Sequence, residues 1–237
     1  MHLVNSGENN EKVKTDRYMK IMRQNCYRLI RLVDNIMDST KINSEFYEMN
    51  MKNYNIVEML ENITMAVGEY TKDQRINLVF DTEIEEKRIA CDAAKIERIM
   101  LNILANAVKF TEEQGTIRVN VYAQGEKVVV KIKDNGIGIR QEDFNTIFDR
   151  FKQADKSLRR NHEGSGIGLS LVKAFTEMHE GKVYVVSEYG KGSEFIVELP
   201  NKVVGEDISE NVEKHDKQRM INKINLEFSD IYYDNVK

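Results

Sequence analysis

Proline occurs once in the 237 residues, cysteine twice and tryptophan not at all. No apolar run approaches the ~18 residues of a membrane span. Cys26 and Cys91 are isolated in sequence and make no metal-binding or redox motif, which fits a reducing compartment. The N-terminus has no signal-peptide pattern, so a cytoplasmic location is the default and no membrane contact by this segment is expected; a membrane-anchored parent protein stays compatible with it. Positive charge is not in excess: 35 Lys and Arg stand against 39 Asp and Glu, giving a formal charge of -4. Binding a nucleic-acid backbone needs a concentrated basic surface, and its absence argues against such a partner. Neither G-x-x-x-x-G-K-[ST] nor G-x-G-x-x-G occurs, which removes the P-loop and dinucleotide-binding readings. There is no internal repeat, and the length suits one good-sized core with an extra element or two.

The most informative stretch that is present is 92–111, DAAKIERIMLNILANAVKFT. At about 100° per residue, Asn102, Asn106 and Lys109 fall within ~60° of one another, with Lys95 and Arg98 beside them. Ile96, Ile99, Met100, Ile103, Leu104 and Ala107 fill the neighbouring apolar arc. Such a helix packs one face into a core and turns carboxamides and cations toward something else. Carboxamide oxygens suit a hard divalent cation and ammonium groups suit phosphate, so this face matches a magnesium nucleotide. Taken alone it reads as a surface helix with an ordinary solvated face; the glycine-rich stretches downstream overturn that reading.

Residues 1–10 are polar and read as a turn. Over 15–43 a helical stripe follows, with Met19, Met22, Cys26, Leu29, Ile30, Val33, Ile36 and Met37 at three- and four-residue steps. A single helix cannot bury that stripe against itself, so it pairs in a dimerising bundle or folds back on the next domain. Residues 46–53 alternate weakly, as a strand would. Asn55 then opens a helix, with Glu58 as its capping-box partner. Strands are expected at 77–81, 87–91, 116–122, 127–133, 182–187 and 193–199, and a third helix after the glycines near 166. Strands adjacent in sequence, interleaved with three helices, give an α+β two-layer sandwich rather than a doubly wound sheet. The long connection 134–166 has the length of a binding lid, expected to move without ligand. After Pro200 the chain turns polar and acidic, then resumes a period-two pattern at Ile224, Leu226 and Phe228, expected as an added edge strand or a loosely ordered tail.

Three short stretches carry the chemistry. Asp134-Asn135-Gly136-Ile137-Gly138-Ile139 follows a strand: a carboxylate there can accept from an exocyclic amine while the glycines admit a flat ring. Phe148-Asp149-Arg150-Phe151 puts two aromatics around an arginine in the lid. Gly164-Ser165-Gly166-Ile167-Gly168-Leu169 runs into a helix, where free N–H groups and the dipole favour an anion.

The ordered set Asn102-x3-Asn106-x2-Lys109-Phe110, DNGIGI, FDRF, GSGIGL and a closing GKGSEF resembles the nucleotide-binding boxes of the sensor histidine kinase catalytic domain. That domain shares a superfamily with gyrase, MutL-type repair proteins and the ninety-kilodalton heat-shock chaperone. The segment LIRLVDNIMDSTKI is similar to the second helix of the kinase dimerisation hairpin. The resemblance implies three parts: residues 1–45 as a truncated dimerisation hairpin, 46–200 as the ATP-binding domain, and 201–237 as a tail. It implies ATP and Mg²⁺ as ligands, with Asn106 and Asn102 on the metal. Lys109 would meet phosphate oxygens and Phe110 would pack near adenine. Asp134 would take the adenine amine, with Gly136, Ile137 and Gly138 beside the ring. Gly164, Ser165, Gly166, Ile167, Gly168 and Leu169 would cradle phosphate, Ser193 would sit near the base, and Arg150, with Phe148 and Phe151, would link lid and hairpin. Catalytic roles fall to Asn102, Lys109 and Arg150.

Hydrolysing members of the superfamily use a glutamate where this chain has Asn102, and an amide cannot accept a proton from water at neutral pH. Phosphoryl transfer is therefore expected rather than hydrolysis. A kinase hairpin also begins with an acceptor histidine followed by an acidic residue and a proline; His2 has neither flank. His162 lies in the lid, His215 in the tail, and His179 near a helix end, where a solvated or dipole role is expected. The implied protein is a histidine kinase catalytic segment that does not phosphorylate itself, works as a homodimer through its N-terminal helix and passes phosphate toward a response regulator in the full-length protein. The alternative is a non-catalytic, nucleotide-dependent regulator that binds a partner through that helix.

Overall fold

The computed structural model describes residues 5–42, 47–152, 165–205 and 217–231. After the long helix α1 (Asn5–Ile42), the chain forms β1 (Lys52–Asn55), α2 (Ile56–Thr71), β2 (Asn77–Thr82), β3 (Arg88–Cys91) and α3 (Ala93–Phe110). It continues as β4 (Thr116–Gln124), β5 (Lys127–Asp134), α4 (Gly168–Met178), β6 (Lys182–Glu188), β7 (Gly192–Pro200) and α5 (Lys217–Glu227). Five strands make one sheet in the order β2-β4-β5-β7-β6, with β2 and β4 parallel and the remaining neighbours antiparallel. β1 and β3 form a separate antiparallel pair.

The sheet has one wet and one dry face, as strand alternation requires. Ile117, Val119 and Val121 of β4, with Val128, Val130 and Ile132 of β5, are buried under the helices. Tyr184 and Val186 of β6 remain exposed. Helix α3 lies at the centre of the helical layer: Ile96, Ile99, Met100, Ile103, Leu104 and Ala107 are each 2% exposed or less, and burying an aliphatic side chain contributes about 1.5–3 kcal/mol. Its start is fixed by Asp92, whose Oδ1 accepts from the N–H groups of Ala94 and Lys95 at 3.1 and 3.3 Å. The architecture is the expected α+β sandwich preceded by a long helix.

Four local expectations are corrected. Helix α1 begins at Asn5, inside the stretch read as a turn. β1 is four residues starting at Lys52, later and shorter than the alternation over 46–53 suggested. Asn55 makes no side-chain cap; it pairs with Arg88 in the β1–β3 ladder, and its Oδ1 accepts from the Lys87 N–H at 3.2 Å. The segment read as a strand or loose tail is helix α5, because Ile224 and Phe228 also fit a four-residue step with Met220. Those three side chains are buried, and the Phe228 ring meets Tyr70 of α2 edge-on at 5.2 Å.

His179, at the end of α4, is 4% exposed rather than solvated. Its Nε2 accepts the Asp92 N–H at 3.0 Å and its Nδ1 lies 2.7 Å from the Phe175 carbonyl, an arrangement a neutral imidazole satisfies with one donor and one acceptor. Burial pushes its pKa below the ordinary imidazole value. Folding therefore favours the neutral ring: the stabilisation is complete above the unfolded-state pKa and is lost as pH falls below it. Thermal melts should show the midpoint dropping as pH is lowered from 7 to 5, and His179→Gln should flatten that dependence while costing about 1–3 kcal/mol at neutral pH.

Candidate functional site

The C-terminal half of α3, the loop after β5, the start of α4 and the β6–β7 turn enclose a cavity of about 200 Å³. Asn102, Asn106, Lys109 and Phe110 line it from α3. Asn102 is 1% exposed; its Nδ2 donates to the Arg98 carbonyl at 2.9 Å, while its Oδ1 is buried without a hydrogen-bond partner. A buried acceptor left unpaired is costly and calls for an explanation. Gly168, the first residue of α4, faces that oxygen so closely that a Cβ on it would fall 2.5 Å away. The Lys109 ammonium sits 5.3 Å from the Phe110 ring. Lys95 and Arg98, grouped with these residues on the helix wheel, turn elsewhere: they flank Asp38 of α1, and Lys95 also lies over the rings of Tyr47 and Phe175.

Asp134 enters from the opposite wall, 5% exposed, with Oδ1 accepting from the N–H groups of Gly136 at 2.9 Å and Ser193 at 3.2 Å. Burial raises its pKa, and those two backbone donors oppose the rise. The loop after Asp134 is clamped on both sides, since the Ile137 N–H donates to the Phe110 carbonyl at 3.2 Å and the Ile137 carbonyl accepts from Gly190 at 2.7 Å. Gly138 sits at φ +68°, where a Cβ would strike the Glu188 carbonyl at 2.2 Å, so the turn needs glycine there. Ile137, Gly138 and Ser193 line the cavity; the Ser193 hydroxyl lies 3.0 Å from that of Ser187.

Ser165, Gly166, Gly168 and Leu169 complete the lining at the α4 end. The Ser165 hydroxyl accepts from the Ile167 N–H at 3.3 Å and from Asn35 of α1 at 3.4 Å, which ties the glycine loop to the N-terminal helix. Three of the sequence-derived candidates do not reach the lining among the described residues. Gly136 and Ile167 stand behind it, the former against the Phe110 carbonyl. Arg150 is exposed and apart from it. Phe148 packs toward Phe195 with ring centroids 6.5 Å apart, whereas Phe151 is 71% exposed. Gly164 and His162 lie outside the described residues.

Sequence reasoning missed other lining residues. Tyr189 and Arg140 stack at 5.1 Å on the rim, and the turn Glu-Tyr-Gly-Lys-Gly was the available signal for the first of them. Arg31 of α1, with Glu227, Asp230 and Ile231 from α5 and the residues after it, also lines the cavity. No local pattern announces a pairing across so much sequence.

The donor set suits a nucleotide. One end offers a carboxylate and tight glycine backbone to a flat base, and the other offers amide oxygens, an ammonium and a helix start to charged phosphate. Among the described residues no cluster of three or more His, Cys, Asp or Glu could hold a metal ion. No helix among them is long and apolar enough to cross a membrane.

Residues 91–203 match the family described as histidine kinase-, DNA gyrase B-, and HSP90-like ATPase. The chain is 29% identical over 193 residues to the circadian input-output histidine kinase CikA of Synechococcus elongatus, covering 81% of this chain and 26% of that protein. It is 31% identical to the sensor histidine kinase WalK of Bacillus subtilis, again over 81% of this chain and 31% of the relative. It thus spans about a quarter to a third of the length of these two relatives. Among solved structures, the nucleotide-free catalytic domain of the histidine kinase ThkA aligns with a TM-score of 0.58 at 26% identity, over 65% of this chain and 97% of that one. Full-length ShkA in complex with AMPPNP aligns with a TM-score of 0.70 at 25% identity, over 81% of this chain and 40% of that one. With the family match lying on the walls of the cavity, residues 91–203 belong to the histidine kinase-, gyrase- and HSP90-like ATPases, and the chain carries a catalytic domain of the kind found in sensor histidine kinases.

Proposed function

We propose that the cavity takes Mg·ATP and holds its terminal phosphate for transfer to a histidine that this chain does not contain. The observation that carries this reading is the buried, unpaired Oδ1 of Asn102 in the same cavity as Asp134. With Oδ1 of Asp134 engaged by two backbone donors, the other carboxylate oxygen is the acceptor for an exocyclic amine. Gly136, Ile137 and Gly138 shape the space beside the base, with Ser193 near it and Phe110 as an apolar neighbour. Asn102 and Asn106 offer amide oxygens to the cation, and Lys109 offers an ammonium to phosphate oxygens. The backbone at Ser165, Gly166, Gly168 and Leu169, at the start of α4, supplies N–H groups and a positive dipole end. Bound there, Mg²⁺ would neutralise charge on the phosphate oxygens. Arg150 keeps a proposed role in linking lid and hairpin, outside the cavity. Because Asn102 cannot act as a base, the residues orient and neutralise for transfer rather than activate water.

The polar side of α1 faces the catalytic domain, while Met19, Leu29, Ile30, Val33 and Ile36 are exposed by 49% to 63%. An apolar stripe of that kind supports a homodimer through α1. The same reading places the segment in the cytoplasm and gives the whole protein a response regulator as phosphate recipient. The relatives are named as kinases, so the non-catalytic regulator gains nothing from them.

Incubation with Mg·ATP should raise the melting temperature, leave no acid-labile phosphate on this chain, and label a separately added dimerisation hairpin that carries its histidine. Sedimentation at rising concentration should show a dimer. Absence of any nucleotide-dependent shift would sink the ATP reading, and label on one of this chain's own histidines would sink the claim that the acceptor lies elsewhere.

A further inference from the structure

The far end of the cavity is closed by an ionic cluster that no nucleotide role yet explains. Arg31, on α1, places its guanidinium beside the start of α4: Nη2 lies 3.9 Å from where a Cβ on Gly168 would be, next to the unpaired Asn102 oxygen. Two carboxylates from the C-terminal segment occupy that guanidinium. Arg31 Nε pairs with Glu227 Oε2 at 2.9 Å, and Nη1 with Asp230 Oδ2 at 2.5 Å. Glu227 is 2% exposed, and its other oxygen is 2.9 Å from Arg98 Nε without hydrogen-bond alignment. The segment is held by Phe228 on Tyr70 and by Gln24 of α1, which donates to the carbonyls of Ser229 and Ile231 at 3.1 and 3.2 Å.

Guanidinium groups pair bidentately with carboxylate and phosphate alike, so two carboxylates fixed on Arg31 have the chemistry of a phosphate stand-in. Carboxylates beside a polyphosphate also repel it, most strongly where its charge is most concentrated. If the base lies at Asp134, the phosphates run toward Asn102, Gly166 and Gly168, and Arg31 stands just past them.

We propose that Arg31 is the binding residue for the terminal phosphate of the nucleotide, and that Glu227 and Asp230 hold its place until ATP displaces them. The inference rests on the Mg·ATP reading above. Displacement would free α5 from α1, because Arg31 is shared between the cavity and the contact of those two helices. ATP would thereby be told from ADP by a residue of the dimerisation helix, and the docking of that helix would respond to the third phosphate.

The test is a calorimetric titration of ATP and ADP, with Mg²⁺ present, into the natural chain, Glu227→Gln/Asp230→Asn, and the same pair with Arg31→Gln added. The carboxylate variant should bind ATP on the order of tenfold more tightly, with ADP changed less than about twofold, and the added Arg31→Gln should cancel the gain. An unchanged ATP affinity, an equal gain for ADP, or a gain that survives loss of Arg31 would overturn the proposal. Hydrogen exchange on the natural chain covers the case in which the variants do not fold: ATP but not ADP should speed exchange of the amides in 217–227, and equal exchange with both nucleotides overturns the idea. If the natural chain binds neither nucleotide, the Mg·ATP reading has failed and this inference falls with it; if it binds both without these differences, only the inference has failed.

Discussion

Asn102→Ala and Asn106→Ala should each lower affinity for Mg·ATP by roughly 10- to 100-fold while leaving the much weaker binding of metal-free ATP almost unchanged. The magnitude follows from a bond to a charged group, worth about 1.5–3 kcal/mol. The two variants should differ in stability. Asn102 is buried with one amide hydrogen bond made and its oxygen unpaired. Removing it gives up the bond to the Arg98 carbonyl but also an unsatisfied acceptor, so the net change in melting should be small. Titrations with Mg²⁺ and with EDTA, run beside thermal melts, check both parts. If the Mg²⁺ dependence of binding persists in both variants, the carboxamides do not hold the cation.

Asp134→Asn should weaken binding of ATP and ADP alike by about 1–3 kcal/mol, since the amide would present a second donor where an amine needs an acceptor. Wild-type binding should also fall on acidification. Burial raises the Asp134 pKa, so the ionised carboxylate is disfavoured by folding and protonation begins above the ordinary carboxylate range. Affinity should therefore be full near neutrality and decline as pH drops through that raised value, and the decline should be missing in Asp134→Asn. A pH-independent wild-type affinity, or a variant that binds ADP unchanged, would remove Asp134 from the base site.

Much of the cavity could be read from local order. Asn102, Asn106 and Lys109 share a stripe because helical period alone groups them, and they line the cavity together. Asp134 and the glycines around it were visible because a carboxylate at a strand end followed by permissive backbone has few structural purposes. The wheel could not tell that Lys95 and Arg98, equally well placed, would be taken up by α1 and α5. Angular position on a helix is the same at both of its ends, and what packs over each end is a matter of distant chain. His179 shows the same limit: a helix-terminal histidine looks solvated until the start of α3 supplies its buried donor.

Period and turn chemistry, which act over a few residues, determined the helices and strands of the sandwich, the family of the domain and one wall of the nucleotide cavity. Tertiary structure decided the far end. Helix α5 emerged from a pattern whose two- and four-residue readings coincide at Ile224 and Phe228, and only the apolar surface of α2 and α3 selects the helical one. Arg31 meets Glu227 across 196 positions. Ion pairs of that separation leave no trace in local order, because their geometry exists only once the intervening core has packed.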